Sequence, residues 1–211
     1  MDIMNNETAK IEKDLLLEAI YRCYGYDFRS YSEASVGRRI NQFLAGSGCE
    51  SISAMIPRII HDQSFFARFV HYLSIPVTEV FRDPFFYKAV RDNVVPLLKT
   101  WPHVKIWVAG CATGEEVYSL AIVLREEGLL ERATIYATDF NDEAIEKGIE
   151  GRYEIGKLRE ATRNYQQAGG RTSFSDYYHA CYGAALIDAT LKKRIVFSTH
   201  NLATDSVFGE M

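Results

Sequence analysis

Acidic residues follow each of two short apolar runs in the middle of the 211-residue chain. The run at 105–109 leads into a glycine-bounded turn at 110–114, and Glu115 and Glu116 come directly after it. The next apolar run ends at Asp139. Two glycines let a ligand approach the backbone at the carboxyl end of a strand, where the first amides of a helix also point. This pattern predicts a small-molecule site in which Gly110 lies close to the ligand.

The turn differs from two common nucleotide-binding loops. No Gly-Lys-Ser/Thr follows it, which excludes a Walker A loop, and Gly110-x-x-x-Gly114 is not the G-x-G-x-x-G fingerprint of dinucleotide-binding proteins. Asp139 can accept hydrogen bonds from both hydroxyls of a ribose. Alternatively, Asp139 caps the next helix, a role that Asn141 and Asp142 could equally fill, and the glycine loop is a tight turn without a ligand. Loop and acid together favour a cofactor that carries adenosine.

Glu115 and Glu116 indicate which adenosine cofactor this is. The helix macrodipole by itself explains two acids at a helix start. A functional interpretation requires a cationic ligand, because two carboxylates would repel the diphosphate of NAD. S-adenosylmethionine (SAM) carries a sulfonium and an α-ammonium group, so these residues favour a methyl donor over a hydride carrier.

The first part of the chain has helical periodicity. Apolar residues at helical spacing predict helices from about 7 to 24 and from near Ser32 to the glycines at 46–48. Ser51 can cap a third helix, which Pro57 is expected to shorten or bend, and Asp62 can cap a fourth. Residues 1–75 are therefore predicted to form an N-terminal all-helical domain.

A linker and a connecting helix are predicted at 76–100. Asp83 and Pro84 fit the N-cap and first position of a helix that ends before Pro96. From residue 101, strand and helix patterns alternate, which is typical of a parallel sheet with right-handed crossovers. Strands are expected at the following positions: 105–109, 134–138 and 194–199.

The predicted fold class is α/β. It combines the all-helical domain with a doubly wound, Rossmann-like, SAM-dependent methyltransferase domain at 101–211. An aromatic and glycine-containing stretch at about 151–192 is expected to form an inserted, mostly antiparallel β-subdomain.

Composition excludes several other classes. The net charge is -4 and no block of lysine and arginine is present, which argues against nucleic acid as a partner. No apolar run is long enough to cross a membrane and no leader pattern opens the chain, so we expect a cytoplasmic protein without membrane insertion. The 4 cysteines and 5 histidines have no ligand spacing, so no metal site is expected.

Four segments together carry a family resemblance. They are Thr78-x-x-Phe81-Arg82-Asp83, the string from Ala109 to Ala121, Ala137-Thr138-Asp139, and Asn201-Leu202. They resemble the CheR-type chemotaxis receptor methyltransferases, which are SAM-dependent protein-glutamate O-methyltransferases. The resemblance covers nearly the whole chain, including the helical domain and the inserted β-subdomain.

The resemblance implies roles for particular residues. Cofactor contacts are expected from Thr78, Arg82, Glu116, Asp139, Asn201 and Leu202, in addition to the loop glycine Gly110. Glu116 would meet the methionine ammonium, Asp139 the ribose, and Asn201 with Leu202 the adenine edge. Where family members often have asparagine two residues before the threonine, this chain has Pro76, so that side-chain contact is lost.

Arg82 is the expected catalytic residue. It would lie beside the path of the methyl group, and its guanidinium can hold the incoming carboxylate without taking its proton. The alternative is a surface arginine paired with Asp83.

By resemblance, the chain methylates glutamate side chains on the cytoplasmic helical bundle of chemoreceptors and releases S-adenosylhomocysteine. One alternative is a non-catalytic SAM-binding regulatory module. The other is a small-molecule carboxyl methyltransferase, which would not explain the presence of the helical domain. Arg38 and Arg39 could dock on an acidic partner helix or form a solvated helix face.

A last expectation concerns completeness. Only three parallel strands are visible, whereas family members continue with a strand that bears an Arg-Asn pair and a tyrosine. We therefore expect the 211-residue chain to bind SAM weakly if at all, to expose apolar sheet surface and to associate.

Overall fold

The chain divides into two compact units, residues 1–75 and residues 76–211. A computed structural model describes residues 2–29, 31–73, 78–202 and 205. The expectation for Pro76 lies outside the described residues. No helix among the described residues is both long and apolar enough to cross a membrane.

The first unit is helical, as predicted. Its helices are α1 (Asp2–Tyr24), α2 (Glu33–Ser47), α3 (Ile52–His61) and α4 (Gln63–Leu73). Two expected caps are confirmed: the Ser51 hydroxyl accepts the Ala54 amide at 3.1 Å, and the Asp62 carboxylate accepts the Phe65 amide at 3.0 Å. These side chains satisfy donors that the first helical turn leaves open, so they define where α3 and α4 begin.

Two details of the first unit differ from the sequence prediction. Pro57 does not shorten α3, which continues to His61. Pro57 is exposed, so the backbone carbonyl that loses its partner can be hydrated. Arg39 is half-buried and donates from Nη1 to the Leu73 carbonyl, which leaves Arg38 as the exposed member of the pair.

The second unit contains two sheets. Its strands are β1 (Val104–Ala109), β2 (Ala133–Asp139), β3 (Arg152–Glu154), β4 (Tyr178–Cys181), β5 (Ala184–Ile187) and β6 (Ile195–Thr199). In the larger sheet, β1, β2 and β6 are parallel, and β2 lies in the middle. In the smaller sheet, β5 lies between β3 and β4 and is antiparallel to both. The predicted combination of a parallel sheet and an inserted antiparallel sheet is confirmed.

The helices of the second unit are α5 (Pro84–Ala89), α6 (Val95–Leu98), α7 (Glu115–Glu126), α8 (Asp142–Glu150), α9 (Leu158–Gln167) and α10 (Ala189–Lys192). Helix α7 follows β1 and α8 follows β2, which is the strand and helix alternation of a parallel sheet. Ile135 and Ala137 of β2 are fully buried and share one hydrophobic core with Val117 and Ala121 of α7.

Two element boundaries differ from the prediction. The helix that starts at Pro84 does not end before Pro96, because a π-helical stretch at Val90–Val94 leads into α6. Pro96 lies in the first turn of α6, where a missing amide is tolerated. The insertion also contains the ten-residue helix α9 beside its short strands, so it is less strand-rich than predicted.

A buried charge network holds the insertion against the end of α7. Arg91 contacts Glu126 and lies 3.2 Å from Glu127, and both glutamate side chains are only 2% exposed. From the insertion, Tyr177 donates to Glu126 at 3.0 Å. Burial alone would raise the pKa of Glu126, but hydrogen bonds from Tyr165, the Arg171 amide and Arg91 hold it below its ordinary value.

We expect Arg91→Met to lower the free energy of unfolding by about 3–5 kcal/mol, because it leaves the buried carboxylate of Glu126 without its cationic partner, whereas Glu127 keeps Lys99 at 3.0 Å. Urea unfolding at pH 7 measures the loss. Arg194→Met is the matched control: it removes a pair with Glu131 whose side chains are 40% and 86% exposed, and it should cost at most ~1 kcal/mol.

The same network should make stability depend on pH. The pKa of Glu126 is lower in the folded chain, so its stabilisation is present above its ordinary value of 4.5 and is lost as the pH falls below that value. The Arg91→Met variant should show a weaker loss over this range. Equal costs for the two arginine variants would contradict the stabilising role of the network.

Candidate functional site

The loop that follows β1 is bonded to the end of β2. The amides of Gly110 and Cys111 donate to the Thr138 carbonyl at 2.8 and 2.9 Å. Three residues of the loop have positive φ: Gly110 (73°), Ala112 (49°) and Gly114 (89°). A Cβ built on Gly110 would meet nothing within 4 Å, so the backbone there borders open space. The loop therefore presents its backbone at the carboxyl edge of the sheet, as expected for Gly110.

Asp139 ends β2 and holds the same loop through its side chain. Its Oδ2 accepts the Ala112 amide at 2.9 Å and its Oδ1 accepts the Asn141 amide at 3.0 Å. Asn141, not Asp139, caps α8 by accepting the Ala144 amide at 3.1 Å. The capping alternative for Asp139 is therefore wrong. Each carboxylate oxygen can accept more than one hydrogen bond, so Asp139 can still receive ligand hydroxyls.

The charges of three carboxylates act on the thiol of Cys111. Burial raises the pKa of Cys111 to about 12, and the charges of Asp139, Glu116 and Glu115 contribute to this shift. The thiol is 2% exposed and stays protonated at neutral pH, so it is not a nucleophile. The loop environment is strongly negative, which favours a cationic ligand over a diphosphate.

The two adjacent glutamates have different surroundings. Glu116 is exposed, and its charge also acts on the buried hydroxyl of Tyr87. Glu115 is only 8% exposed and accepts the Thr113 hydroxyl at 2.6 Å. Burial raises the pKa of Glu115, and the Thr113 hydrogen bond opposes this. Only Glu116 therefore presents its carboxylate to solvent.

Thr78 lies on the Glu115 side of the loop. It is half-buried and lines a cavity of about 240 Å³ together with Thr113, Glu115 and Tyr153. The structure thus places Thr78 on the cavity that Thr113 and Glu115 of the loop also line. Helix α9 and the small sheet contribute both apolar and charged side chains to the cavity wall, among them Leu158, Glu160 and Ile187.

Arg82 lies in a turn with unusual backbone geometry. Its neighbours Phe81 and Asp83 both have φ of 53°, in the left-handed region that such residues rarely adopt. Phe81 is fully buried, and its amide donates to the Ser119 hydroxyl at 2.8 Å. Arg82 is exposed, with Nε 3.8 Å from Asp83 Oδ2. The turn therefore holds an exposed guanidinium on a well-anchored backbone.

Asn201 and Leu202 follow β6, beside the end of β2. The His200 amide donates to the Asp139 carbonyl at 3.0 Å, which connects this segment to the acid. Asn201 is half-buried and Leu202 is 62% exposed. The Asp205 side chain accepts the Asn201 amide at 2.8 Å, which closes the turn.

The structure therefore places Gly110 in the loop that Asp139 holds and Glu116 in the first turn of the helix that follows it, and it places Asn201 and Leu202 at the adjoining strand end. Sequence reasoning missed the supporting residues Tyr87 and Tyr153, and it named Glu115 without predicting that this residue is buried. Tyr153 had no spacing signal, because its position depends on how the insertion folds back. Among the described residues, no group of three or more side chains comes together that could hold a metal ion.

Family models match both units. Residues 11–74 match the model described as CheR methyltransferase, all-alpha domain, and residues 76–211 match CheR methyltransferase, SAM binding domain. The chain belongs to the CheR methyltransferase family. The family resemblance stated from the sequence is confirmed, and SAM is the methyl donor.

Curated relatives agree with this assignment. A Pseudomonas putida protein with the name "Putative methyltransferase Cher3" is 54% identical over 206 residues, which are 98% of this chain and 76% of the relative. A chemotaxis protein methyltransferase of Listeria innocua is 25% identical over 199 residues, 92% of this chain and 73% of the relative. That of Salmonella typhimurium is 23% identical over 148 residues, 68% of this chain and 50% of the relative.

The residues present fit this cofactor. The carboxylates of Glu116 and Asp139 suit its positive charges, and the open space at Gly110 leaves room beside the loop. The amides of Gly110, Cys111 and Ala112 already donate to β2, so they are not available to cradle a diphosphate.

Gly114→Ala should destabilise the protein more than the matched variant Gly128→Ala. Both glycines have positive φ, but a Cβ on Gly114 would lie 3.1 Å from the Gly148 Cα, whereas Gly128 has open space. Left-handed backbone costs alanine about 1–2 kcal/mol at either position, and crowding should add about 1–3 kcal/mol at Gly114. Urea unfolding of both variants measures the difference, and equal losses would show that the loop is not closely packed.

Proposed function

We propose that this chain transfers the methyl group of SAM to glutamate side chains on the cytoplasmic helical bundle of chemoreceptors, in a cytoplasmic adaptation step of chemotaxis. The observation that carries the proposal is the glycine loop that Asp139 holds through the Ala112 amide at 2.9 Å, followed by the exposed carboxylate of Glu116, within the unit that matches the SAM-binding family model. Relatives named chemotaxis protein methyltransferase support the receptor substrate.

The proposed cofactor contacts follow from charge and position. Glu116 holds the α-ammonium group, Asp139 accepts the ribose hydroxyls, and Asn201 with Leu202 borders the adenine. Gly110 contributes backbone, and Thr78 contributes a hydroxyl from the other side of the loop. When bound, the cofactor supplies an activated methyl group and leaves as S-adenosylhomocysteine.

The chain itself has little chemistry to perform. A glutamate carboxylate with a pKa near ~4.3 is already ionised at neutral pH, so no general base is required. What remains is to hold that carboxylate in line with the bond that breaks. Arg82 is suited to this because its guanidinium is exposed. The backbone conformation of Phe81 and Asp83 fixes the backbone position from which the Arg82 side chain extends.

The helical unit is proposed to recognise the receptor. Arg38 is exposed on α2, where it can meet an acidic helix, whereas Arg39 is engaged with the Leu73 carbonyl. Receptor binding would therefore rely on Arg38 rather than on both arginines.

Glu116→Gln should weaken SAM binding by about 1.5–3 kcal/mol, because it removes a charged acceptor for the ammonium group. Glu146→Gln, which changes an exposed carboxylate on α8, is the matched control and should bind normally. Titration calorimetry measures both affinities. Unchanged affinity in Glu116→Gln would remove Glu116 from the site.

The activity is tested by incubating the chain with methyl-labelled SAM and a receptor cytoplasmic fragment. Labelled receptor that releases methanol in base is the result expected from the proposed function, and it would show that the expectation of weak SAM binding by the 211-residue chain is wrong. Tight SAM binding without transfer would favour the regulatory module instead.

In the same assay, Arg82→Lys should reduce turnover roughly tenfold or more while changing cofactor affinity by a much smaller factor, since lysine lacks the planar fork. Arg159→Lys on the exposed face of α9 is the control. Equal turnover in the two variants would mean that Arg82 is a surface arginine paired with Asp83 and does not hold the substrate carboxylate.

A further inference from the structure

A tyrosine of the inserted subdomain contacts the cofactor loop. Tyr153 lies in β3, and its hydroxyl donates to the carbonyl oxygen of Thr113 at 2.8 Å. This contact joins two segments that are 40 positions apart in the sequence. Burial raises the pKa of Tyr153 well above its ordinary value, so the hydroxyl remains a donor throughout the physiological range.

Tyr153 contacts the loop at a position where the loop is closely packed. A Cβ on Gly114 would lie 3.3 Å from the Tyr153 hydroxyl and 3.4 Å from the Phe197 ring. On the side of the larger sheet, Asp139 holds the Ala112 amide at 2.9 Å. The loop is therefore fixed at Ala112 by β2 and at Thr113 by the insertion.

The hydrogen bond from Tyr153 to Thr113 also affects the position of the first residues of α7. The Thr113 hydroxyl donates to Glu115 at 2.6 Å, and the Gly114 carbonyl accepts the Tyr118 amide at 3.0 Å. A shift of the Thr113 carbonyl would therefore move the residues on either side of Glu116. Fixing such a loop before binding reduces the ordering cost that a ligand would otherwise meet.

We propose that Tyr153 is a positioning residue for the cofactor, through which the inserted subdomain holds the Thr113–Gly114 peptide in its binding conformation. The inference rests on the proposed function, because it takes the loop to be the cofactor site. Tyr153 itself acts through Thr113 and needs no contact with the cofactor.

The ring and the hydroxyl of Tyr153 have separable roles. The ring packs edge-on against Tyr118, with centroids 6.2 Å apart, and this packing survives in Tyr153→Phe. Tyr178 provides a matched control, since it lines the same cavity and its ring packs on Phe174 at 5.4 Å. Among the residues that the structure describes, the Tyr178 hydroxyl makes no hydrogen bond.

The test compares Tyr153→Phe and Tyr178→Phe in the full 211-residue chain. Calorimetry gives the dissociation constant for SAM, and hydrogen exchange without cofactor gives the opening of the amides at 110–114. Tyr153→Phe should raise the dissociation constant roughly 3–10-fold and accelerate exchange in the loop. Tyr178→Phe should leave both within about twofold of the wild type. In the methylation assay, Tyr153→Phe should raise the KM for SAM and leave kcat unchanged.

Two results would overturn the inference. One is a Tyr153→Phe variant that binds SAM as tightly as Tyr178→Phe does. The other is a loss confined to the melting temperature, with wild-type affinity and loop exchange in the folded state, which would make Tyr153 merely structural. A wild-type chain that does not bind SAM would instead contradict the proposed function, and the positioning role with it.

Discussion

The end of β2 determines the conformation of the loop after β1, and the candidate site depends on this contact. The Thr138 carbonyl accepts two successive loop amides, from Gly110 and Cys111, and the Asp139 side chain accepts the next one, from Ala112. Parallel pairing of β1 with β2 places these groups side by side. The positive φ of Gly110, Ala112 and Gly114 is possible because the hydrogen bonds over-determine the loop.

The loop geometry sets the electrostatics of the site. Because its amides are engaged with β2, the loop offers little positive potential of its own, and the charges of Asp139, Glu115 and Glu116 dominate around Cys111. A strand-to-helix turn of this type usually favours anions. Here the carboxylates reverse that preference, which is consistent with a sulfonium cofactor and with a methyl-transfer reaction that needs alignment more than acid or base.

The inserted subdomain is attached to the methyltransferase unit at both ends of α7. At the carboxyl end, Glu126 and Glu127 bind Arg91 while Tyr177 from the insertion donates to Glu126. At the amino end, Tyr153 holds Thr113. Helix α7 therefore has the insertion fixed against both of its ends, and the amino-terminal attachment is the one that reaches the cofactor loop.

The sequence alone determined the order of the main elements outside the insertion, the family and most of the residues proposed for the site. Apolar periodicity and turn residues are local signals, so the strands that end at Ala109 and Asp139 and the cap at Ser51 could be located from it, whereas the cap of α8 was left open between Asn141 and its neighbours. Glu116 and Asp139 could be named because they directly follow such elements. The sequence did not predict that the helix continues through Pro96, since this continuation depends on the π-helical stretch around the buried Arg91.

The tertiary structure decided those features of the site that local sequence signals do not encode. Whether Glu115 or Glu116 faces solvent depends on the packing of the insertion, which buries Glu115 beside Thr113 and Tyr153. That Asp139 holds the loop instead of capping α8 depends on the register of β1 with β2. The contact from Tyr153 to Thr113 joins residues 40 positions apart, and no propensity or spacing rule reaches across a folded insertion. Such contacts arise only when distant segments pack, because their free energy comes from burial and hydrogen bonds that neither segment has alone.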